Sequence, residues 1–266
     1  MKMYIITDME GAAGIAVWGS QPGIPYEVKK AEWMTAEVQA AVTGMKECGA
    51  DEIIVAESHR LILDQLDQAV KVVLTGGTMV NYLPGLDASV DGVFIIGQHA
   101  MAGTGNGVLN HTGNSAIRRV MINGITLGEL GFEMAYAGSL DVPVLFVSGD
   151  NATVNEAQAL VKNMETVAVK EGINKYQTIS LHPAQACEYI RQGAAKAVKR
   201  IQEIKPFVIE PPYTYEVEFT TTHTVSKMCL IPGVTKVNDT TVSFTSDNFQ
   251  EIANIYILQG HLYDAE

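Results

Sequence analysis

Short apolar runs recur along the first half of the chain, and each one ends in polar residues. Tyr4-Ile5-Ile6, Ile53-Ile54-Val55-Ala56, Gly92-Val93-Phe94-Ile95-Ile96-Gly97 and residues 142–147 are brief and unbroken. That pattern predicts strands covered on both faces. Between the first two, residues 26–48 carry Val28, Ala31, Trp33, Met34, Val38 and Val42 among charged residues, a helical pattern that Gly49 closes as a C-cap. Pro22, Gly23 and Pro25 mark the loop before it. Residues 70–74 read as a short strand with Gly76-Gly77 as a breaker, Asn123-Gly124 between two apolar triplets predicts a hairpin, and a helix follows from Gly128 to about residue 137. Strand, polar end and helix in repeated order predict an α/β fold with a largely parallel sheet and flanking helices.

Beyond Asn151 the pattern changes. Residues 154–168 and 183–204 read as helices, Tyr213 to Phe219 alternates with period two like a strand with one covered face, and 249–263 reads as a last amphipathic helix. The expected organisation is a metal-binding α/β domain over residues 1–152 and a smaller α+β C-terminal portion over 153–266. The second is able to intertwine with the first and to carry oligomer contacts.

The polar ends hold the chemistry. In open parallel sheets ligands bind at the carboxyl ends of the strands. Here those ends offer Asp8 and Glu10, then His59 within Glu57-Ser58-His59-Arg60, then His99, then Asp150. Glu129 opens the helix after the hairpin, and His111 lies in a Gly- and Asn-rich loop over residues 100–114, long enough to be functional or mobile. Asp8 and Glu10 stand two apart and converge on one side if the strand stays extended, where they repel unless a proton or a cation lies between them. Singly, each of these residues has an ordinary structural reading: a cap, a hydrogen-bonded histidine, a favourable charge in a helix's first turn. Their coincidence at several strand ends is what those readings leave unexplained. Carboxylates and imidazoles without thiolates are the donors of hydrolytic two-metal sites.

Composition removes several classes of partner. A formal net charge of −12 and a pI near 4.9, with no Lys/Arg cluster, argue against nucleic acid. No apolar run approaches the ~20 residues of a membrane span, and none near the N-terminus is long enough for a signal peptide's hydrophobic region. Cys48, Cys187 and Cys229 are odd in number and far apart, which favours neither disulfides nor a cysteine zinc site and fits the reducing cytoplasm.

Asp8-Met9-Glu10-Gly11, Ser58-His59, Gln98-His99-Ala100, His111-Thr112, Gly128-Glu129, Ala137-Gly138 and Val142-Pro143-Val144 together resemble, in order and approximate spacing, the zinc-dependent D-aminopeptidases of the bacterial dipeptide-transport operon. The resemblance implies two Zn2+ per subunit, with Asp8 as the bridging carboxylate, Glu10, His59, His99 and Glu129 as the other ligands, and His111 as the catalytic histidine. It implies hydrolysis of N-terminal residues, D-amino acids among them, from short peptides through a metal-bridged hydroxide. It also implies a homodecamer of two stacked pentameric rings. One departure stands out: the family's usual Asp-Ser-His-Gly is Glu57-Ser58-His59-Arg60 here, placing a cation where a glycine leaves space and directing attention to acidic or very short peptides. Two alternatives stay open on the residues alone, a binuclear phosphoesterase and a non-catalytic metal-binding protein.

Overall fold

A computed structural model of the chain describes residues 1–19, 26–75 and 80–262. The Pro22–Pro25 loop, the Gly76-Gly77 breaker and Tyr263 lie outside these residues. A seven-stranded sheet is built from β1 (Lys2–Thr7), β2 (Glu52–Ala56), β3 (Lys71–Val73), β4 (Gly92–Gln98), β7 (Val144–Asp150), β8 (Glu165–Asn174) and β9 (Gln177–Ser180), in the order β3-β2-β1-β4-β7-β8-β9. All neighbours are parallel except β8 and β9, which pair antiparallel. A second, antiparallel sheet joins β5 (Ile117–Ile122), β6 (Ile125–Leu127), β10 (Tyr213–Phe219), β11 (Thr235–Lys236) and β12 (Thr241–Ser246). Strands from both sides of residue 152 enter each sheet.

The apolar runs are continuous because both faces of the parallel sheet are covered. Met3, Ile5, Ile53, Val55, Phe94 and Ile96 point to one side, into a core closed by α1 (Tyr26–Glu47) and α4 (Pro183–Lys199). Their alternates Tyr4, Ile6, Ile54, Ala56, Val93 and Ile95 point to the other, into a core shared with α2 (Glu129–Ser139), α6 (Phe249–Leu262) and the antiparallel sheet. Two short-range readings fail. The helix expected over 154–168 ends early: α3 (Asn151–Leu160) stops and Glu165 opens β8, because Thr166, Val167 and Val169 are β-branched and pack better on a pleated surface beside β7. The helix expected to 204 stops at Lys199, with Arg200 as its cap. β9, α5 (Thr222–Met228), β11 and β12 lacked periodicity strong enough to be read.

The ends of β1 and β4 are pressed together at the carboxyl edge. Asp8 N donates to Ile96 O at 2.8 Å and Gly11 N to Gly97 O at 2.7 Å. A Cβ on Gly11 would lie 1.9 Å from Gln98 O, and one on Gly97, whose φ is +77°, would lie 2.2 Å from Asp8 O. These are backbone atoms that cannot swing away, so only glycine permits the approach. Gly97→Ala is therefore expected to cost more than about 1 kcal/mol in the metal-free protein, read as a lowered denaturant midpoint at unchanged slope. An unchanged midpoint would contradict the contact.

Candidate metal centre

Six of the seven candidates from the sequence meet at this edge, all but Asp150. Asp8 follows β1 and Glu10 lies in the turn after it; His59 lies in the turn after β2, His99 directly follows β4, Glu129 is the first residue of α2, and His111 belongs to the loop between β4 and β5. His59 Nε2 is 3.0 Å from Asp8 Oδ1 and 3.2 Å from Glu10 Oε2. On the other side of Asp8, His99 Nε2 is 3.4 Å from Asp8 Oδ2 and 3.3 Å from Glu129 Oε1, and His111 Nε2 is 3.4 Å from the same Glu129 oxygen. The donors form two triads, Asp8–Glu10–His59 and His99–His111–Glu129, with Asp8 facing both. Asp8 and Glu10 do not converge through an extended strand: β1 ends at Thr7, and a turn brings Glu10 back.

The hydrogen bonds around the rings suit this cluster to a cation. His99 Nδ1 and His111 Nδ1 each lie 3.0 Å from a backbone carbonyl, of Ala100 and Leu109. A carbonyl only accepts, so Nδ1 carries the proton in both rings and Nε2 turns inward. In a neutral ring Nε2 then has a lone pair aimed at a carboxylate oxygen, acceptor against acceptor. Asp8 Oδ2, Glu10 Oε2 and His99 Nε2 are all buried without a hydrogen-bond partner. Without metal, protons fill the gap. Burial and the Glu10 charge push Asp8 up to about 7. Burial works against protonation of His59 and His99, yet contacts to Asp8 and Glu10 raise His59 to about 11, and Glu129 and Asp8 raise His99 to about 10. Against burial, the charge of His99 takes Glu129 down to about 2. His111 moves the other way, lowered by burial and by the neighbouring His99. Oxygen and imidazole donors with unpartnered, inward-facing atoms and no thiolate fit a pair of divalent ions.

The sequence matches the peptidase family described as D-aminopeptidase over residues 1–257. A curated D-aminopeptidase of Bacillus subtilis (strain 168) is 30% identical over 269 residues, spanning 98% of this chain and 97% of the relative. The chain belongs to the D-aminopeptidase family. Among solved structures, the Zn-dependent D-aminopeptidase DppA from Bacillus subtilis, described as a self-compartmentalizing protease, superposes with a TM-score of 0.92 at 29% identity, over 98% of this chain and 97% of that one.

Several residues that position the site in this family member gave no pattern in the sequence. Lys170 on β8 is fully enclosed and donates to the carbonyls of Glu10 (2.5 Å), Ala12 (3.0 Å) and Ile15 (2.6 Å), clamping from behind the turn that returns Glu10 to Asp8. Glu37 on α1 holds the same turn by accepting from Ala13 N at 2.8 Å. Trp18 donates from Nε1 to Glu10 Oε1 at 2.7 Å and sets its ring edge-on to His111, 5.5 Å between centroids. Gln98 accepts from His99 N and donates to Glu133 on α2 at 3.0 Å. Burial and the Glu129 charge hold Glu133 well above the usual carboxylate range. The only signals were a lone lysine in an apolar stretch and a tryptophan in a glycine-rich loop.

The His111 loop is pinned by hydrogen bonds. Val108 N donates to Asp150 Oδ2 at 2.6 Å, Leu109 N to Lys175 O at 2.8 Å, Ala102 N to Thr112 Oγ1 at 3.1 Å, and Gly113 N to Glu129 Oε1 at 2.7 Å. Asp150 is outside the cluster and caps α3 through Thr153. Glu57 accepts from Leu61 N at 2.9 Å and shapes the turn that carries His59. Arg60 is exposed, and no ion pair to it occurs among the described residues.

Because His59 and His99 hold protons that a metal must displace, zinc binding to the metal-free protein is expected to release protons near pH 8 and to weaken steadily as the pH falls towards about 6. Calorimetry in buffers of different ionisation enthalpy reads both effects. Binding independent of pH and buffer would contradict the proton-held cluster.

Proposed function

We propose that the chain is a binuclear zinc aminopeptidase that removes N-terminal residues, D-amino acids among them, from short peptides in the reducing cytoplasm, where Cys48, Cys187 and Cys229 remain free thiols. The observation that carries this reading is the set of inward-facing donors around Asp8, three of whose buried atoms have no hydrogen-bond partner. Asp8, Glu10 and His59 would hold one ion, and His99 and Glu129, with Asp8 facing them, the other. Bound there, divalent ions supply Lewis acidity to the scissile carbonyl and lower the pKa of water. No helix among the described residues is long and apolar enough to cross a membrane.

His111 handles the proton. Its ring is stacked on His99 at 3.9 Å and fixed at Nδ1 by Leu109, so Nε2 has one direction and faces the cluster. With its pKa lowered, the ring is neutral near pH 7 and Nε2 accepts the proton of the attacking water. The same Nε2–H then donates to the departing amine. Because three hydrogen bonds tie the loop to Asp150, Lys175 and Glu129, the ring waits in place and does not swing in with substrate. A second reading, with His111 as a further ligand, is favoured by its grouping with His99 and Glu129.

D-aminoacyl p-nitroanilides set against p-nitrophenyl phosphate separate peptidase from phosphoesterase: cleavage of the anilides alone is expected. His111→Ala is expected to keep two zinc ions per subunit and to lose at least ~10²-fold in kcat with KM little changed. Loss of metal in that variant would move His111 among the ligands, and full activity would remove it from the reaction.

The chain assembles as a homodecamer of two pentameric rings around the sites, in keeping with the self-compartmentalizing neighbour. The antiparallel hairpin β8–β9 supports such contacts: it ends the parallel sheet, and Ile173, Tyr176 and Ile179 on it are each more than half exposed. Light scattering is expected to give a mass many times 28.7 kDa; a monomer mass would contradict it.

A further inference from the structure

A cavity of about 270 Å³ opens directly off the metal centre. Ser58, Gly113 and Glu129, each a ligand or next to the site's own loops, form the wall it shares with the cluster. The larger part of the rest is apolar: Ile6 and Val73 come from the parallel sheet, Tyr82 and Leu83 from the segment before β4, Ile117 from the antiparallel sheet and Tyr256 from α6, with Glu57, Asn114, Gln259 and His261 among its polar residues. The cavity therefore lies in the seam between the two sheets, where the packing of the core leaves a gap beside the reacting groups. Glu133, buried in this wall, already accepts from Gln98, and burial raises its pKa well above the usual carboxylate range. Ligand-sized pockets run to roughly 300–1,000 Å³, so this one has room for a single large side chain and not for a peptide.

A gap of this kind rewards occupation by apolar surface. A side chain that fills it leaves water and meets Ile, Leu and Tyr side chains, whereas a methyl group leaves most of the lining without partners. A charged side chain would give up its hydration to a lining that is largely apolar. We infer that this cavity receives the side chain of the substrate's N-terminal residue and selects a bulky, uncharged, apolar one, aliphatic or aromatic, over alanine. The inference rests on the aminopeptidase reading and deepens it by naming the substrate class.

The test uses the zinc-loaded full chain with alanyl, leucyl, phenylalanyl and lysyl p-nitroanilides in both enantiomeric series, and with alanyl-leucine and leucyl-alanine dipeptides. In the series that is cleaved, kcat/KM for leucine and phenylalanine is expected to exceed that for alanine by at least ~10-fold, and leucyl-alanine to exceed alanyl-leucine. Val73→Phe, on the edge strand β3, fills the cavity from a partly buried position and is expected to reduce the leucine-to-alanine ratio ~10-fold or more. If that variant loses its metal or its fold, Ala56→Val, which adds two methyl groups to the same wall, is expected to move the ratio in the same direction. A preference for alanine or lysine, a preference that follows the second residue, or ratios unmoved in a folded variant would overturn the assignment while leaving the aminopeptidase intact. Cleavage of no anilide or dipeptide would instead overturn the aminopeptidase reading itself.

Discussion

Three carboxylates and three imidazoles are held within hydrogen-bonding distance of one another, several of their atoms buried and unpaired. Left to themselves such groups would move apart or take up water, since like acceptors repel and buried polar atoms without partners are costly. The chain prevents this from the far side of each ligand. Lys170 spends its three donors on the carbonyls of the Glu10 turn, Glu37 takes the amide of Ala13, and Gly11 against Gly97 lets β1 and β4 close without a side chain between them. The polar braces are themselves buried, so they hold geometry that surface contacts could not. The site is thus under electrostatic tension that bound cations would relieve, which is the preorganisation a hydrolytic metal centre needs.

The same constraint explains the two-layer architecture. Ligands at the ends of β1, β2 and β4 come from one sheet, but Glu129 arrives on α2, which the hairpin β5–β6 delivers from the other. Bringing the two sheets together completes the cluster and leaves the apolar seam beside it. The cluster and the cavity then share a wall, because the packing that seats Glu129 also sets the size of the gap that Ile117 and Tyr256 line.

The parallel strands and their polar ends were legible because burial on both faces writes itself as unbroken apolar runs, and the six clustered residues all stood at or near such ends. What the chain did not disclose is long-range. Lys170 reaches Glu10 across 160 positions, and the local pattern around it reads only as a strand or helix with one charge. The run 166–169 was mistaken for helix because its neighbour in the sheet, β7, decides the matter. The loop of His111 looked free because its anchors, Asp150, Lys175 and Glu129, are distant in sequence. Arg60, conspicuous in the sequence, stands outside both the cluster and the apolar cavity.

The interleaving of the sheets also fixes an order of events in folding. β5 pairs with β10, so the hairpin between His111 and Glu129 lacks its neighbour until the chain has been made as far as residue 219. Contacts of such sequence separation form late and slowly. A nascent chain that has already laid β1, β2 and β4 side by side still holds Asp8, His59 and His99 without Glu129 opposite them. Metal captured at that stage would meet half a site, so the complete centre is a product of the whole chain and not of its N-terminal half.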